Sequence, residues 1–153
     1  MSRCEIKKDG NNFLISGSID ETFGQVAGVM PTFGKFDINL RGLKSINSTG
    51  IREWIKLMQK LKAVQISFYE CPKVFIDQVN MVQGFAPENA KILSFYVPYF
   101  NEKNESEKNI LISHGEHYQD GTIKALPKVV DDQGAEMEID IVEAKYFKFI
   151  KGP

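Results

Sequence analysis

Three places in this sequence bring together residue types that could do chemistry. His114-Gly115-Glu116-His117 offers two imidazoles and a carboxylate, a set able to hold a metal or move protons. Its spacing fits neither arrangement of that kind. A helical zinc pair needs His-Glu-x-x-His, and the His-x-Glu start of a zinc deaminase needs a Pro-Cys-x-x-Cys partner that the chain lacks. A solvated loop is expected there. Cys4 and Cys71 are the only thiols, too few for a disulfide framework and without metal-ligand spacing, so both are expected reduced. Cys71 follows an apolar strand pattern and precedes Pro72, which suits a small buried residue better than a nucleophile. The third place is Asn47-Ser48-Thr49-Gly50, where three side-chain oxygens precede apolar residues at helical spacing and can satisfy the unpaired amides of a helix start. Ser48 is not set up as a nucleophile, since the strained elbow that would expose it needs Gly where Ile46 stands. No Gly-rich phosphate loop is present. The expectation is a protein without catalytic residues, cofactor or metal.

The elements around the third place are the clearest in the chain. Phe36, Ile38 and Leu40 alternate with Asp37, Asn39 and Arg41, the period of a strand with one covered face. Ile51, Trp54, Ile55, Met58 and Leu61 then recur at helical spacing, so a helix starts just after the turn. Val64, Ile66 and Phe68 predict another strand, Pro72 suits a first helical position, and Val74, Phe75, Gln78, Val79 and Val82 form the next stripe. Gly84 is placed to end that helix in a left-handed cap. Upstream, Cys4 to Ile19 reads as a hairpin turning at Asp9-Gly10-Asn11-Asn12, and Glu21 to Met30 as a weak helical or irregular stretch before Pro31. Strands alternating with helices imply an α/β fold with right-handed crossovers and a sheet that is at least partly parallel.

Beyond Lys91 helical stripes are scarce. Extended segments are predicted at Ile92 to Tyr99, Asn109 to Ser113, Thr122 to Leu126 and Met137 to Ile141, with a solvated hairpin loop from Asn101 to Asn109 and an irregular connection from Pro127 to Gly134. This divides the chain into residues 1–99 and a small β-rich extension, 100–153, with the strand before Tyr99 assigned to the first sheet. The aromatic ending Tyr146-Phe147-Lys148-Phe149-Ile150 is expected to cover an edge or face of that first sheet by ordinary packing.

The stretch from Phe36 to Phe85 resembles the STAS family of anti-sigma factor antagonists. In that family an apolar-Asp-Leu strand leads to an Asp-Ser-Ser/Thr-Gly turn that opens a long helix, and Asp37 to Leu40 and Asn47-Ser48-Thr49-Gly50 stand in those places. Ile15-Ser16-Gly17-Ser18-Ile19-Asp20 is similar to the end of the family's second strand, and the likeness runs from about Cys4 to Tyr99. The resemblance implies a STAS-like mixed sheet with helices packed against it. It also implies a non-enzymatic interaction module whose protein partner, a kinase-like regulator, docks on Asn47, Ser48, Thr49, Gly50, Ile51 and Arg52, with Ser48 as the phosphorylated residue. Asn47 departs from the family's Asp and removes the carboxylate before that acceptor. Some relatives instead serve as accessory subunits beside an ATPase in membrane-lipid transport, which makes a constitutive docking subunit the second reading.

In the extension, Asn101 to Asn104 and Val130 to Gln133, followed by Gly134, resemble the paired Cys-x-x-Cys knuckles of a zinc ribbon with every thiolate replaced. Zinc needs four good ligands, and no metal is expected from Asn, Val and Gln. A formal net charge of −1 and a pI near 6.1 provide no basic field for nucleic acid or an anionic membrane. The N-terminus carries no apolar core of a signal peptide, and no apolar run nears the roughly 18 residues of a membrane span. A cytoplasmic protein without membrane insertion is expected.

Overall fold

In the computed structural model, which describes residues 3–151, the Asp9–Asn12 turn joins β1 (Glu5–Asp9) to β2 (Asn12–Ile19) as an antiparallel hairpin. The weak stretch that follows contains one short helix, α1 (Phe23–Ala27), which buries Phe23 and Ala27. The alternating strand is longer than its pattern: β3 runs Lys35–Ile46, carried past Arg41 by parallel pairing with β2 through two register shifts. The remaining elements of this half are α2 (Ser48–Lys60), β4 (Gln65–Tyr69), α3 (Lys73–Met81) and the short β5 (Lys91–Ile92). The sheet order is β1-β2-β3-β4-β5, parallel from β2 to β5 and antiparallel only at the hairpin. The fold is mixed α/β.

One face of this sheet is apolar because the strand period puts Phe13 and Ile15, Phe36, Ile38 and Leu40, and Ile66 and Phe68 on the same side, and all are buried. Trp54 is the centre of the helix layer. Its ring lies 5.5–6.1 Å from those of Phe23, Phe68, Phe75 and Phe85, and its indole N–H donates to the Phe85 carbonyl at 2.8 Å. Burying the indole body while pairing its one donor removes the usual penalty of a buried Trp. Gly84 is left-handed as expected, at φ +83°, yet α3 stops earlier, at Met81, with Val82 as its C-cap.

The second half is β6 (Ser94–Asn101), β7 (Ser106–Ser113), β8 (Tyr118–Gln119), β9 (Thr122–Ile123), β10 (Val129–Val130) and β11 (Glu136–Ile139), followed by α4 (Glu143–Tyr146) and a 3-10 helix, Phe147–Lys151. Strands β10-β11-β6-β7 form an antiparallel sheet, and β8 and β9 form a separate ribbon. The hydrogen-bond ladders therefore change sheet at Leu93, and Ser94–Tyr99 pairs in the second sheet and not in the first. Two causes are visible. The β6–β7 turn is short, so β7 captures β6 along its whole length. On the other side β4 ends at Tyr69, and after Glu70, held at φ +51°, the backbone ladder between β4 and β6 is reduced to an isolated Cys71–Phe95 bridge. A non-glycine residue in that region costs on the order of 1–3 kcal/mol.

The aromatic ending is helical, and it covers the second sheet instead of the first. Phe147 and Phe149 pack on the ring of Phe95, and the Tyr146 hydroxyl donates to the Tyr96 carbonyl at 2.6 Å. Asn80 of α3 grips the same segment from the other side, donating to the Tyr146 carbonyl at 2.9 Å and accepting from the Phe149 amide at 3.0 Å.

Candidate functional site

The β3–α2 turn is pinned from behind and open in front. Asn47 is extended, at φ −94° and ψ 176°, which lets its Oδ1 accept from the Gly50 amide at 2.7 Å as an N-cap. Its own amide donates to the Ile19 carbonyl at 3.1 Å, and its carbonyl accepts from Ile51 at 2.9 Å. Gly50 is buried against the end of β2, where a side chain would have no room. Asn47, Ser48, Thr49 and Arg52 are exposed, and Ile51 is half-buried as the first residue of the helix stripe. All six residues expected at the site thus lie together in the chain, with Gly50 as the fixed back, Ile51 packed against the core, and Asn47, Ser48, Thr49 and Arg52 exposed. The first turn of α2 contains no acidic side chain. Amides at a helix start have no carbonyl four residues back, and the helix dipole is positive there, so the Ser48 end of α2 can receive an anion.

The other candidates resolve into structural roles. His117 is not in a solvated loop. Its side chain is 15% exposed, its Nδ1 accepts from the Ser113 amide at 3.0 Å, and its carbonyl accepts from Lys124 at 2.7 Å. It closes the turn between β7 and β8, while His114 is exposed and stands edge-on to the Tyr118 ring. Among the described residues no group of three or more His, Cys, Asp or Glu side chains converges to hold a metal. Cys4 and Cys71 are both buried; burial, helped by the charges of Asp20 and Glu5, pushes the Cys4 thiol up to about 11, and burial alone pushes that of Cys71 well up.

Two sites were missed by sequence reasoning. The knuckle-like turns do face each other, but around a carboxylate: Asp131 Oδ2 accepts from Asn104 at 2.6 Å and Asn101 at 2.9 Å, and Oδ1 accepts from the Gln133 and Ala135 amides at 2.9 Å each. The bonds from Asn104, the Ala135 amide, Asn101 and the Gln133 amide hold its carboxyl down at about 2. Val130 points to solvent and contributes nothing. The signal was available in Asp131-Asp132-Gln133-Gly134, a sequence with the side chain and glycine of an Asx turn. The second site is Glu70, whose carboxylate accepts from the Asn39 side-chain Nδ2 and the Tyr96 hydroxyl while its backbone N–H donates to Ser94 Oγ at 2.7 Å. It lines a cleft of about 470 Å³ with Asp37, Tyr69 and Leu111. Nothing in its sequence context marks a left-handed Glu.

The class that fold and site define is a mixed α/β protein with an exposed, capped helix start and an appended antiparallel sheet. No family model matches the chain, and no curated protein or solved structure matches it either. No helix among the described residues is long and apolar enough to cross a membrane.

Proposed function

We propose that this protein is a STAS-type regulatory interaction module that binds a partner protein through the Asn47–Gly50 turn and the following helix, with phosphorylation of Ser48 as its switch. The observation that carries the proposal is the exposed Ser48 hydroxyl at the first position of α2, ahead of an acid-free first turn and over a backbone anchored to Ile19. A phosphate there adds about −1.5 to −2 charges and can sit on the free amides of the helix start, so the domain accepts it without refolding. A partner docked on the same turn would lose its contacts to repulsion and to the added bulk. Further support comes from the strand β3 leading through the Asn47–Gly50 turn into the 13-residue helix α2, which is the local arrangement that the resemblance implies. The partner is a protein, and the module acts by binding and not by catalysis.

Two measurements test this together. Peptide-level mass spectrometry of the protein purified from its own cells with phosphatases inhibited should find a fraction phosphorylated on Ser48. Ser48→Asp should weaken the complex with a partner that Ser48→Ala leaves bound. Full coverage of an unmodified turn, together with equal affinity of both variants, would rule out the switch. Such a result would favour constitutive docking, to which the loss of the family's carboxylate at Asn47 already inclines.

A further inference from the structure

The second sheet ends at β7, and the ladder fixes which backbone groups that edge offers. The Pro98 carbonyl accepts from the Asp140 amide at 2.8 Å and the Tyr96 amide donates to the Cys71 carbonyl at 2.9 Å, so these residues of β6 turn their polar groups away from β7. Their partners across the ladder are Asn109 and Leu111, and Phe100 pairs with Glu107 in the same way. Bonded and non-bonded pairs alternate along an antiparallel ladder, so Glu107, Asn109 and Leu111 direct their N–H and C=O groups outward. Ser113 obeys the same parity, and its outward amide and carbonyl are taken by His117 Nδ1 at 3.0 Å and the His117 amide at 2.9 Å. Among the described residues the outward groups of Glu107, Asn109 and Leu111 have no partner, and all three residues are exposed.

Such a row of free groups is a template for another strand. The other edges of the two larger sheets are protected, since β5 and β10 are two residues long and β1 carries Lys7 and Lys8. In contrast β7 has eight residues in unbroken register with β6, no proline, and no charge from Asn109 to Ser113. We propose that β7 pairs antiparallel with β7 of a second copy of this chain, about a twofold axis at Asn109, joining the two four-stranded sheets into one. This dimer is independent of the turn at Asn47. Self-complementarity selects both occupant and register. With the axis at Asn109, Glu107 meets the second copy's Leu111, Asn109 meets its own equivalent, and every free group is paired. The Asn109 carboxamide carries donor and acceptor and is its own complement across the axis. Moving the axis to Lys108 would set two lysines directly opposite each other, which is destabilising. Moving it to Ile110 would set Glu107 against Ser113, whose groups His117 already holds.

Sedimentation equilibrium of the full chain should show monomer and dimer with a midpoint of about 10–100 μM, as suits a small interface. Exchange of the Glu107, Asn109 and Leu111 amides should slow about fivefold from dilute to concentrated protein as the edge becomes paired. Asn109→Pro removes an amide that β6 does not use, so the dilute variant should melt with the wild type yet stay monomeric. Ile110→Pro removes a β6 bond and should lower the melting temperature. Glu107→Cys mixed with Leu111→Cys should cross-link on oxidation far faster than either variant alone, because bonded antiparallel pairs lie within disulfide reach and the chain's own thiols are buried. The cysteine pair reads the register even where the proline variant fails to fold. A chain that is monomeric at every concentration, a dimer indifferent to Asn109→Pro, or Glu107→Cys joining itself in preference to Leu111→Cys would overturn the proposal. Protection of the β7 amides only by a different protein would also overturn it and give the edge to a foreign strand.

Discussion

A Cβ built on Gly50 would lie 2.1 Å from the carbonyl oxygen of Ile19. The start of α2 therefore rests directly on the backbone at the end of β2, and the turn is positioned by main-chain contact instead of by a side-chain wedge. Gly50→Ala should destabilise the protein by about 1–3 kcal/mol, because the strand end or the helix must move to admit the methyl group. Asn47→Ala should cost about 1 kcal/mol through the lost cap. Asn47→Asp should keep the cap and gain at the dipole's positive end, but it loses the Nδ2 donor to Glu21 Oε2 at 3.4 Å and sets two carboxylates together, so the net change should stay within about 0.5 kcal/mol. Ser48→Ala, at an exposed position that caps nothing, should stay within about 0.5 kcal/mol. Urea titrations followed by Trp54 fluorescence separate these cases, and an unchanged midpoint for Gly50→Ala would contradict the close packing.

The parts of this fold that were legible in the sequence are those where one periodicity and one buried face coincide. Phe36-Ile38-Leu40 and Trp54-Met58-Leu61 point to a core on one side only, so α2 and the first half of β3 could be read from the pattern, while the continuation of β3 to Ile46 depends on its pairing with β2. Asn47 was legible for the same local reason, since a cap bonds within its own turn. The sheet boundary was not, because it depends on a left-handed Glu70 and on competition between β4 and β7 for the edge of β6, neither of which any local pattern encodes. The cluster around Asp131 was half legible. Knuckle spacing brought out Asn101 and Asn104, but it counted the side chains of Val130 and Gln133 as their counterparts, and the structure uses that of Asp131, the first of the two residues between them.

Asp131 makes the acid response of the second sheet specific. Its folded carboxyl sits near 2, while an unfolded Asp titrates at about 3.9, so as pH falls the unfolded chain takes up the proton first. The contribution of this group is therefore complete above about pH 4 and disappears as the pH drops through about 2. Asp131→Asn should lower the melting temperature at pH 7 and flatten its slope between pH 4 and 2. A chelator should leave the wild-type melting temperature unchanged, as the carboxylate does the joining that metal does in a ribbon with thiolates. A variant whose slope matches the wild type would show that Asp131 is not the group that titrates.

Neither thiol should behave as a reactive cysteine. Cys4 is 2% exposed and its thiol is raised to about 11, and Cys71 is fully buried at the bridge to Phe95, so the thiolate that attacks a disulfide reagent is scarce and inaccessible in both. Native protein should react with Ellman's reagent at least tenfold more slowly than protein in concentrated guanidinium, where both cysteines are titrated. Rapid labelling of Cys71 in the native state would mean that the junction between the sheets opens on that timescale.

Asn80 is the residue by which α3 holds the end of the chain, since a single carboxamide satisfies both the Tyr146 carbonyl and the Phe149 amide. Asn80→Ala removes both side-chain bonds to this segment, each contributing about 0.5–1.5 kcal/mol net. The loss should be local, because α2 and the aromatic cluster of Trp54 do not touch Asn80 through these bonds. Amide hydrogen exchange is then the discriminating measurement. Protection at Phe149 and its neighbours should fall in Asn80→Ala while that of Ile55 to Met58 is retained. Asn80→Asp, which keeps the acceptor for Phe149 and loses the donor for Tyr146, should fall between the two. A uniform loss of protection across α2 and the 3-10 helix would instead make Asn80 part of the global core, and the aromatic ending would then unfold only together with the whole chain.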